Sequence, residues 1–193
     1  MTHAFARSFF DASNVGVATA RAGNVFGGGD WAEDRLIPDA VRAVTSGQPL
    51  RLRNPQAVRP WQHVLEPLAG YLRLAEQLVD TPASFRGAWN FGPRDDDAVS
   101  VGALADLFHA AWGAGGWEHV ADPDARLETR VLRLNSDKAN RELGWSPRLN
   151  LEAAMARTAL WYRQASRGDA DAAFALTCDQ IHEYEAMDRP ARA

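Results

Sequence analysis

The stretch ARAGNVFGGGDW, residues 20–31, carries four of the 15 glycines in this 193-residue chain. It overlaps a run of small and β-branched residues, 15–23, which predicts a buried strand. The glycines form either a loop that cradles a phosphate at the start of a helix or a turn that leaves the strand. The choice between them decides whether the chain holds a dinucleotide by itself.

A dinucleotide-binding loop has the spacing Gly-x-Gly-x-x-Gly directly between a strand and its helix, so that bare backbone amides face the pyrophosphate. Here the glycines stand at 23, 27, 28 and 29, and acidic residues follow at 30, 33 and 34. This pattern favours a turn. Such a turn leaves Asn24 at the carboxyl end of a strand, where open α/β sheets bind their ligands.

Strand and helix patterns alternate on both sides of this loop. Helices are predicted over 3–12, with Phe5, Phe9 and Phe10 on one side, and over 36–47, 65–80, 100–113, 136–145, 150–164 and 170–187. Strands are predicted at 15–23, 50–53, 59–64 and 87–92, and a loop-rich stretch at about 114–134. The alternation predicts an α/β protein with a mostly parallel sheet. Because only 15–23 and 87–92 are long enough for the main sheet, the chain is expected to be part of a larger fold.

Composition narrows the function classes. The chain is 46% hydrophobic and 24% charged, as folded proteins are, and it has neither a signal peptide nor an apolar run of membrane-spanning length. A single cysteine, Cys178, excludes an internal disulfide and a Cys-rich metal site. A net charge of −4 argues against a nucleic-acid partner. We therefore expect a cytoplasmic protein with no metal, no nucleic acid and no membrane partner.

Basic residues concentrate in one segment of this acidic chain. The arginines between positions 35 and 59 are Arg35, Arg42, Arg51, Arg53 and Arg59. Asp39 is the one acid among them. The segment indicates either a site for a small anion or a solvated helix face followed by a basic turn.

Four motifs, in this order, carry a family resemblance. They are RAGNVFGGGDWAEDRLIP at 21–38, LRLRNPQAVRPWQHVLEPLAGYL at 50–72, AWNFGP at 88–93 and SDKANRELGWSPRLNLEAA at 136–154. Over residues 1 to about 165 the chain resembles the C-terminal half of the CDP-glucose 4,6-dehydratases, which belong to the extended short-chain dehydrogenase/reductase superfamily. The resemblance implies that residues 1–193 form the C-terminal part of a Rossmann-type fold. That part comprises the last sheet strands and a small sugar-nucleotide-binding domain.

The resemblance also implies a set of substrate-binding residues. They are Asn24, Arg35, Leu36, Arg53, Arg59 and Asn90. Three of these residues have a structural alternative: Asn24 a left-handed turn, Asn90 a strand cap, and Arg59 a surface pair with Glu66. His63 is predicted to be a packing residue rather than a base, and Trp61, Trp89, Trp145 and Trp161 to be core residues. Relatives often carry a histidine–acid pair at the outer wall of the nucleotide site. Here Glu128 stands without a histidine, and Arg130 or Arg133 is the candidate substitute.

The family reaction converts CDP-glucose to CDP-4-keto-6-deoxyglucose with NAD, and it uses a tyrosine followed four residues later by a lysine. Lys138 is the one lysine of the chain, and Ala75, Ser166 and Asp188 stand four residues after its tyrosines. The motif is thus absent, and we predict neither catalytic nor cofactor-binding residues. NAD is expected to be bound mainly by an N-terminal half.

Three hypotheses follow for the function of the chain, and in the first two its ligand is a CDP-sugar. The chain is half of a dehydratase, or of another NAD-dependent sugar-nucleotide epimerase or dehydratase, and works with an N-terminal half. Alternatively, it is a non-catalytic fragment that binds nucleotide sugars. In the third, the free edge of the strand at 15–23 pairs with a second copy or with an N-terminal half.

Overall fold

A computed structural model describes residues 2–10, 15–121 and 129–187. Its helices are α1 (Thr2–Phe9), α2 (Leu36–Thr45), α3 (Leu65–Asp80), α4 (Val101–Trp112), α5 (Leu151–Ala165) and α6 (Ala170–Ala186). Its strands are β1 (Ala18–Ala22), β2 (Asn24–Phe26), β3 (Leu50–Leu52), β4 (Val58–His63), β5 (Gly87–Phe91), β6 (Ala98–Ser100) and β7 (Trp117–His119). Strands and helices alternate, so the predicted α/β class is confirmed.

The strands pair in three small sheets, mostly in parallel. β1 pairs with β5, β2 with β4, and β3 with β7, all in parallel, while β6 joins β4 in antiparallel orientation. The two strands expected in the main sheet therefore lie side by side, with Ala18 opposite Gly87 and Ala22 opposite Phe91.

The predicted strand at 15–23 is shorter in the structure, where β1 ends at Ala22, and a second strand, β2, begins directly after Gly23. A Cβ at this position would lie 2.3 Å from the carbonyl oxygen of Pro60, closer than side chains come to backbone atoms. Only glycine lets the chain pass Pro60 here. After Gly23 the strand changes partner from β5 to β4, and this brings Asn24 opposite Trp61.

Helix ends follow their capping residues. The hydroxyl of Ser100 accepts a hydrogen bond from the amide of Ala103, as predicted for the start of α4, and Asn150 caps α5 in the same way. The predicted short helix at 136–145 is present but contains a π-helical turn, Ala139–Leu143, which ends at Gly144 in the left-handed conformation.

Two apolar clusters make up the core. The larger includes α2, α4 and α5, with Phe108, Leu104 and Tyr162 fully buried, and the smaller surrounds Trp89 and Phe91 of β5. Trp61, Trp89 and Trp145 are buried, as predicted, and Trp161 is half-buried against the larger cluster. Phe5 and Phe9 lie side by side on α1 with their ring centres 4.6 Å apart. No helix of the described residues is long and apolar enough to cross a membrane.

Candidate functional site

A cleft of about 300 Å³ lies where β2, β3 and the start of α2 meet. Five of the six predicted substrate-binding residues line it: Asn24, Arg35, Leu36, Arg53 and Arg59. Its walls also include Asp30, Asp34, Asn54 and Trp61, which the sequence prediction did not select. Its volume is at the lower end of the range for small-molecule sites, about 300–1,000 Å³.

The start of α2 faces this cleft without a side-chain cap. Arg35 occupies the N-cap in an extended conformation, and its side chain makes no capping hydrogen bond. The first amides of a helix have no partner inside it and carry the positive end of its dipole. Leu36, Ile37 and Pro38, the first helical residues, line the cleft. An anion is the natural ligand of such an end.

The arginines around the cleft differ in their partners. Arg53 lies 3.6 Å from Asp34, and Arg51 lies 3.7 Å from Glu118. Within the described residues no carboxylate pairs with Arg35. The guanidinium of Arg59 donates to the carbonyl oxygens of Val58 and Thr129, at 2.9 and 2.8 Å, which fixes its position at the cleft.

Asn24 reaches the cleft from the first position of β2. The left-handed turn considered for it is wrong, because Asp34 is the one non-glycine residue with a positive φ in the described chain. Asn24 is instead held in register between strands, opposite Trp61 of β4. The side-chain amide of Asn24 is therefore presented by a β-sheet and not by a turn.

Asn90 lies apart from the other predicted residues. It belongs to β5, and its side-chain amide donates to the carbonyl oxygen of Asn135 at 3.2 Å. Arg133, a candidate for the outer wall of the site, lines a second cavity of about 760 Å³ formed by residues 92–95, 133–137, 140–141 and 144–147. Arg130 is exposed and its carbonyl oxygen accepts from Val58, while Glu128 lies outside the described residues.

Glu66 is buried in the interior, so the alternative interpretation of Arg59 as its surface ion-pair partner is wrong. Its carboxylate accepts from the amides of Arg148 and Leu149 and from the hydroxyl of Tyr184, at 2.7–3.1 Å. Burial raises the pKa of this carboxyl above its usual value, and the three donors oppose that shift. The group joins α3, the loop before α5, and α6.

His63 packs in the interior, as predicted. It is 2% exposed, its ring lies edge-on to Phe26, and its Nδ1 accepts from the amide of Leu65 at 3.3 Å. Burial, with a smaller contribution from the charge of Arg157, lowers its pKa from 6.5 to about 4. A neutral, enclosed imidazole of this kind serves packing rather than proton transfer.

The glycine loop, defined as residues 27–34, is a turn packed on α5. A Cβ at Gly28 would lie 2.2 Å from Cδ2 of Trp161, so the indole occupies the space of a side chain. Loop glycines that serve a side-chain contact do not fit the pyrophosphate of NAD, which needs bare amides. No three metal-binding side chains come together in the described ranges.

Sequence comparison supports the resemblance noted above. No family model matches the chain. CDP-glucose 4,6-dehydratase from Salmonella typhimurium is 44% identical over an alignment of 171 residues, which covers 86% of this chain and 48% of that protein. The chain thus spans about half the length of this relative.

Solved structures of other sugar-nucleotide enzymes share the fold. UDP-glucose-4-epimerase from Stenotrophomonas maltophila, with NAD and a formylated UDP-arabinopyranose, matches at a TM-score of 0.71 and 20% identity, over 86% of this chain and 53% of that one. dTDP-glucose 4,6-dehydratase from Bacillus anthracis, with NAD, matches at 0.67 and 19% identity, over 89% and 51%. The chain is therefore a relative of CDP-glucose 4,6-dehydratase, and it shares the fold of about half of each of these two sugar-nucleotide enzymes.

Proposed function

We propose that this chain is the sugar-nucleotide-binding half of a CDP-glucose 4,6-dehydratase. One observation carries the proposal. The uncapped N-terminus of α2 and the side chains of Arg35, Arg59 and Asn24 converge on a single cleft. These are residues at which the relative's motifs imply contacts with the nucleotide diphosphate.

The diphosphate occupies the α2 end of the cleft in this proposal. The amides of Leu36 and Ile37 supply donors at the positive end of the helix dipole. Arg35 and Arg59 supply planar guanidinium groups, which bind two phosphate oxygens at once and keep their charge at any physiological pH. Asn24 donates its side-chain amide from the first position of β2, on the side of the sugar.

The chemistry of the reaction is assigned to another half. NAD supplies the hydride acceptor and donor of an internal redox dehydration, and the base is the tyrosine of Tyr-x-x-x-Lys, which this sequence lacks. The described residues contribute binding and orientation of the CDP-sugar. That division fits a chain that spans 48% of its relative.

The second candidate is a nucleotide-sugar-binding module without a catalytic partner. The observation that favours it is that the chain places Asn24, Arg35 and Arg59 on one cleft but contains no Tyr-x-x-x-Lys pair. The two functions differ in one respect, namely turnover in the presence of a partner that contains the NAD loop and the catalytic pair.

Complementation separates the two. The chain is mixed with the N-terminal half of the Salmonella relative, and conversion of CDP-glucose is followed by nuclear magnetic resonance. Turnover that is lost in the Arg59→Ala variant and kept in Arg167→Ala, an exposed position outside the cleft, supports the enzyme half. Binding of CDP-glucose without turnover supports the module.

A further inference from the structure

Trp161 of α5 lies directly beneath the glycine loop. The six-membered ring edge is 3.9 Å from the Cβ position of Gly29, and the five-membered ring fills the Cβ position of Gly28. Trp161 and Tyr162 also flank the side chain of Trp31, at ring distances of 6.4 and 5.1 Å. The loop therefore rests on two consecutive aromatic residues.

Trp161 is oriented by a hydrogen bond to α6. Its Nε1–H donates to the hydroxyl of Thr177 at 2.8 Å, and that hydroxyl donates in turn to the carbonyl oxygen of Ala173 at 2.9 Å. Both functions of the hydroxyl are thus used. One rotamer of the indole satisfies this chain of donors while filling the space beneath Gly28.

The loop is fixed at two further points. The hydroxyl of Tyr162 donates to the carbonyl oxygen of Asp30, and the guanidinium of Arg42 donates to the carbonyl oxygens of Trp31 and Ala32 at 3.1 and 3.0 Å. The same loop contributes Gly27, Asp30 and Asp34 to the cleft wall. Movement of the loop off α5 therefore changes the shape and charge of the cleft.

We infer that Trp161, held by Thr177, is a positioning residue that sets the glycine loop and, through it, the nucleotide-sugar cleft. The inference rests on the proposed function for its effect on binding. It assigns a role to α6, which lies beyond the motifs that carry the family resemblance. Gly28 then exists to let the loop approach an indole, whereas Gly29 adopts a φ of 88°, a conformation that favours glycine.

The experiment has two readouts in the full chain. Hydrogen exchange of the amides in residues 27–34 reports the loop itself, and the dissociation constant for CDP reports the cleft. Thr177→Val removes the acceptor and keeps the shape of the side chain, and Trp161→Phe removes the donor and keeps a ring. Trp112→Phe, on α4 in the same core, is the matched control.

We expect the two variants at the Trp161–Thr177 contact to speed loop exchange and to weaken CDP binding about three- to tenfold, as for the loss of one hydrogen bond. Trp112→Phe lowers the melting temperature and leaves both readouts unchanged. Gly28→Ala also weakens binding, and it does so less in a Trp161→Ala background, where the indole no longer fills the Cβ position.

Unchanged loop exchange in both Thr177→Val and Trp161→Phe overturns the inference, whatever happens to CDP. An equal effect of Trp112→Phe also overturns it, because the cause is then general loss of stability. A wild-type chain with a protected loop and no affinity for CDP contradicts the proposed function instead. In that case the exchange data still decide whether Trp161 positions the loop.

Discussion

The carboxylate of Asp34 lies 3.6 Å from the guanidinium of Arg53 at the rim of the cleft. Asp34 has a φ of 59°, a left-handed conformation that costs most residues free energy but that Asp and Asn adopt more readily. The turn thus holds a negative charge beside an arginine that the family resemblance assigns to the nucleotide. If the cleft binds CDP as proposed, we expect this anion to compete with Asp34 for Arg53.

The first prediction concerns this competition. Asp34→Asn keeps a residue that tolerates the left-handed turn and removes the charge, so we expect CDP to bind about two- to fivefold more tightly, the scale of an exposed ion pair. Titration calorimetry at low salt measures the change. The gain shrinks at 0.5 M salt because exposed charges are screened. Asp179→Asn, exposed on α6, is the control, and equal gains in both variants contradict the competition.

Arg35 provides a second prediction. It stands at the uncapped end of α2 with no carboxylate partner among the residues described. Arg35→Ala removes a charge-assisted donor to phosphate and should weaken CDP binding at least about tenfold. Arg35→Lys restores part of the affinity, since lysine keeps the charge without the planar fork. Binding of cytidine, which lacks phosphate, should not change in either variant, and a parallel loss for cytidine counts against a phosphate contact.

The pKa of His63 predicts how stability depends on pH. Its pKa of about 4 in the folded state lies below the value of 6.5 expected for the unfolded chain. As pH falls from 6.5 to 4, the unfolded state takes up a proton that the folded state does not, so stability decreases by about 3 kcal/mol from this group. Glu66, whose pKa is raised, acts in the opposite direction above 4.5.

His63→Asn isolates the contribution of this histidine. Asparagine does not titrate and offers an oxygen acceptor near Nδ1, so the variant should lose the His63 part of the decline. Urea unfolding at several pH values between 4 and 8 measures it, and the pH 8 point gives the packing cost of the substitution. A slope equal to that of the wild type shows that His63 is not the titrating group.

Tyr184 provides a prediction about α6. Its hydroxyl donates to Oε2 of Glu66 at 2.7 Å in the interior. Tyr184→Phe leaves a buried carboxyl with one donor fewer and should cost about 1–3 kcal/mol of unfolding free energy. Tyr71→Phe, on the half-buried side of α3, is the matched control in chemical denaturation. An equal loss of unfolding free energy in the two variants would show that the hydrogen bond to Glu66 contributes nothing beyond the loss of a tyrosine hydroxyl.

Sequence patterns predicted the long elements and failed where partners are distant. The 16 residues of α3 were predicted to the residue, because apolar positions at helical spacing define it over four turns. β7, only Trp117–His119, was missed, since three residues show no periodicity and its pairing with β3 joins segments far apart in the chain. The change of strand partner at Gly23 depends on Pro60, which also lies far outside the local sequence pattern.

The candidate site shows the same limit. Motifs located Asn24, Arg35, Leu36, Arg53 and Arg59, which the fold brings to one cleft. They did not show that Asn90 lies outside this cleft, where its side-chain amide donates a hydrogen bond to Asn135. They also gave no sign that Glu66 is buried beneath Tyr184. The role of Trp161 under Gly28 was also missed, because a glycine that makes room for a ring looks the same in sequence as one that makes room for a phosphate.

The most direct test of the central claim is a thermal melt of the purified chain, alone, with CDP and with NAD. We expect one cooperative transition whose midpoint temperature rises by several degrees with CDP and does not change with NAD, because only ligands that bind the folded state stabilise it. An unshifted transition with CDP contradicts the assignment of the cleft. A transition raised by NAD and not by CDP would instead assign the cleft to the dinucleotide.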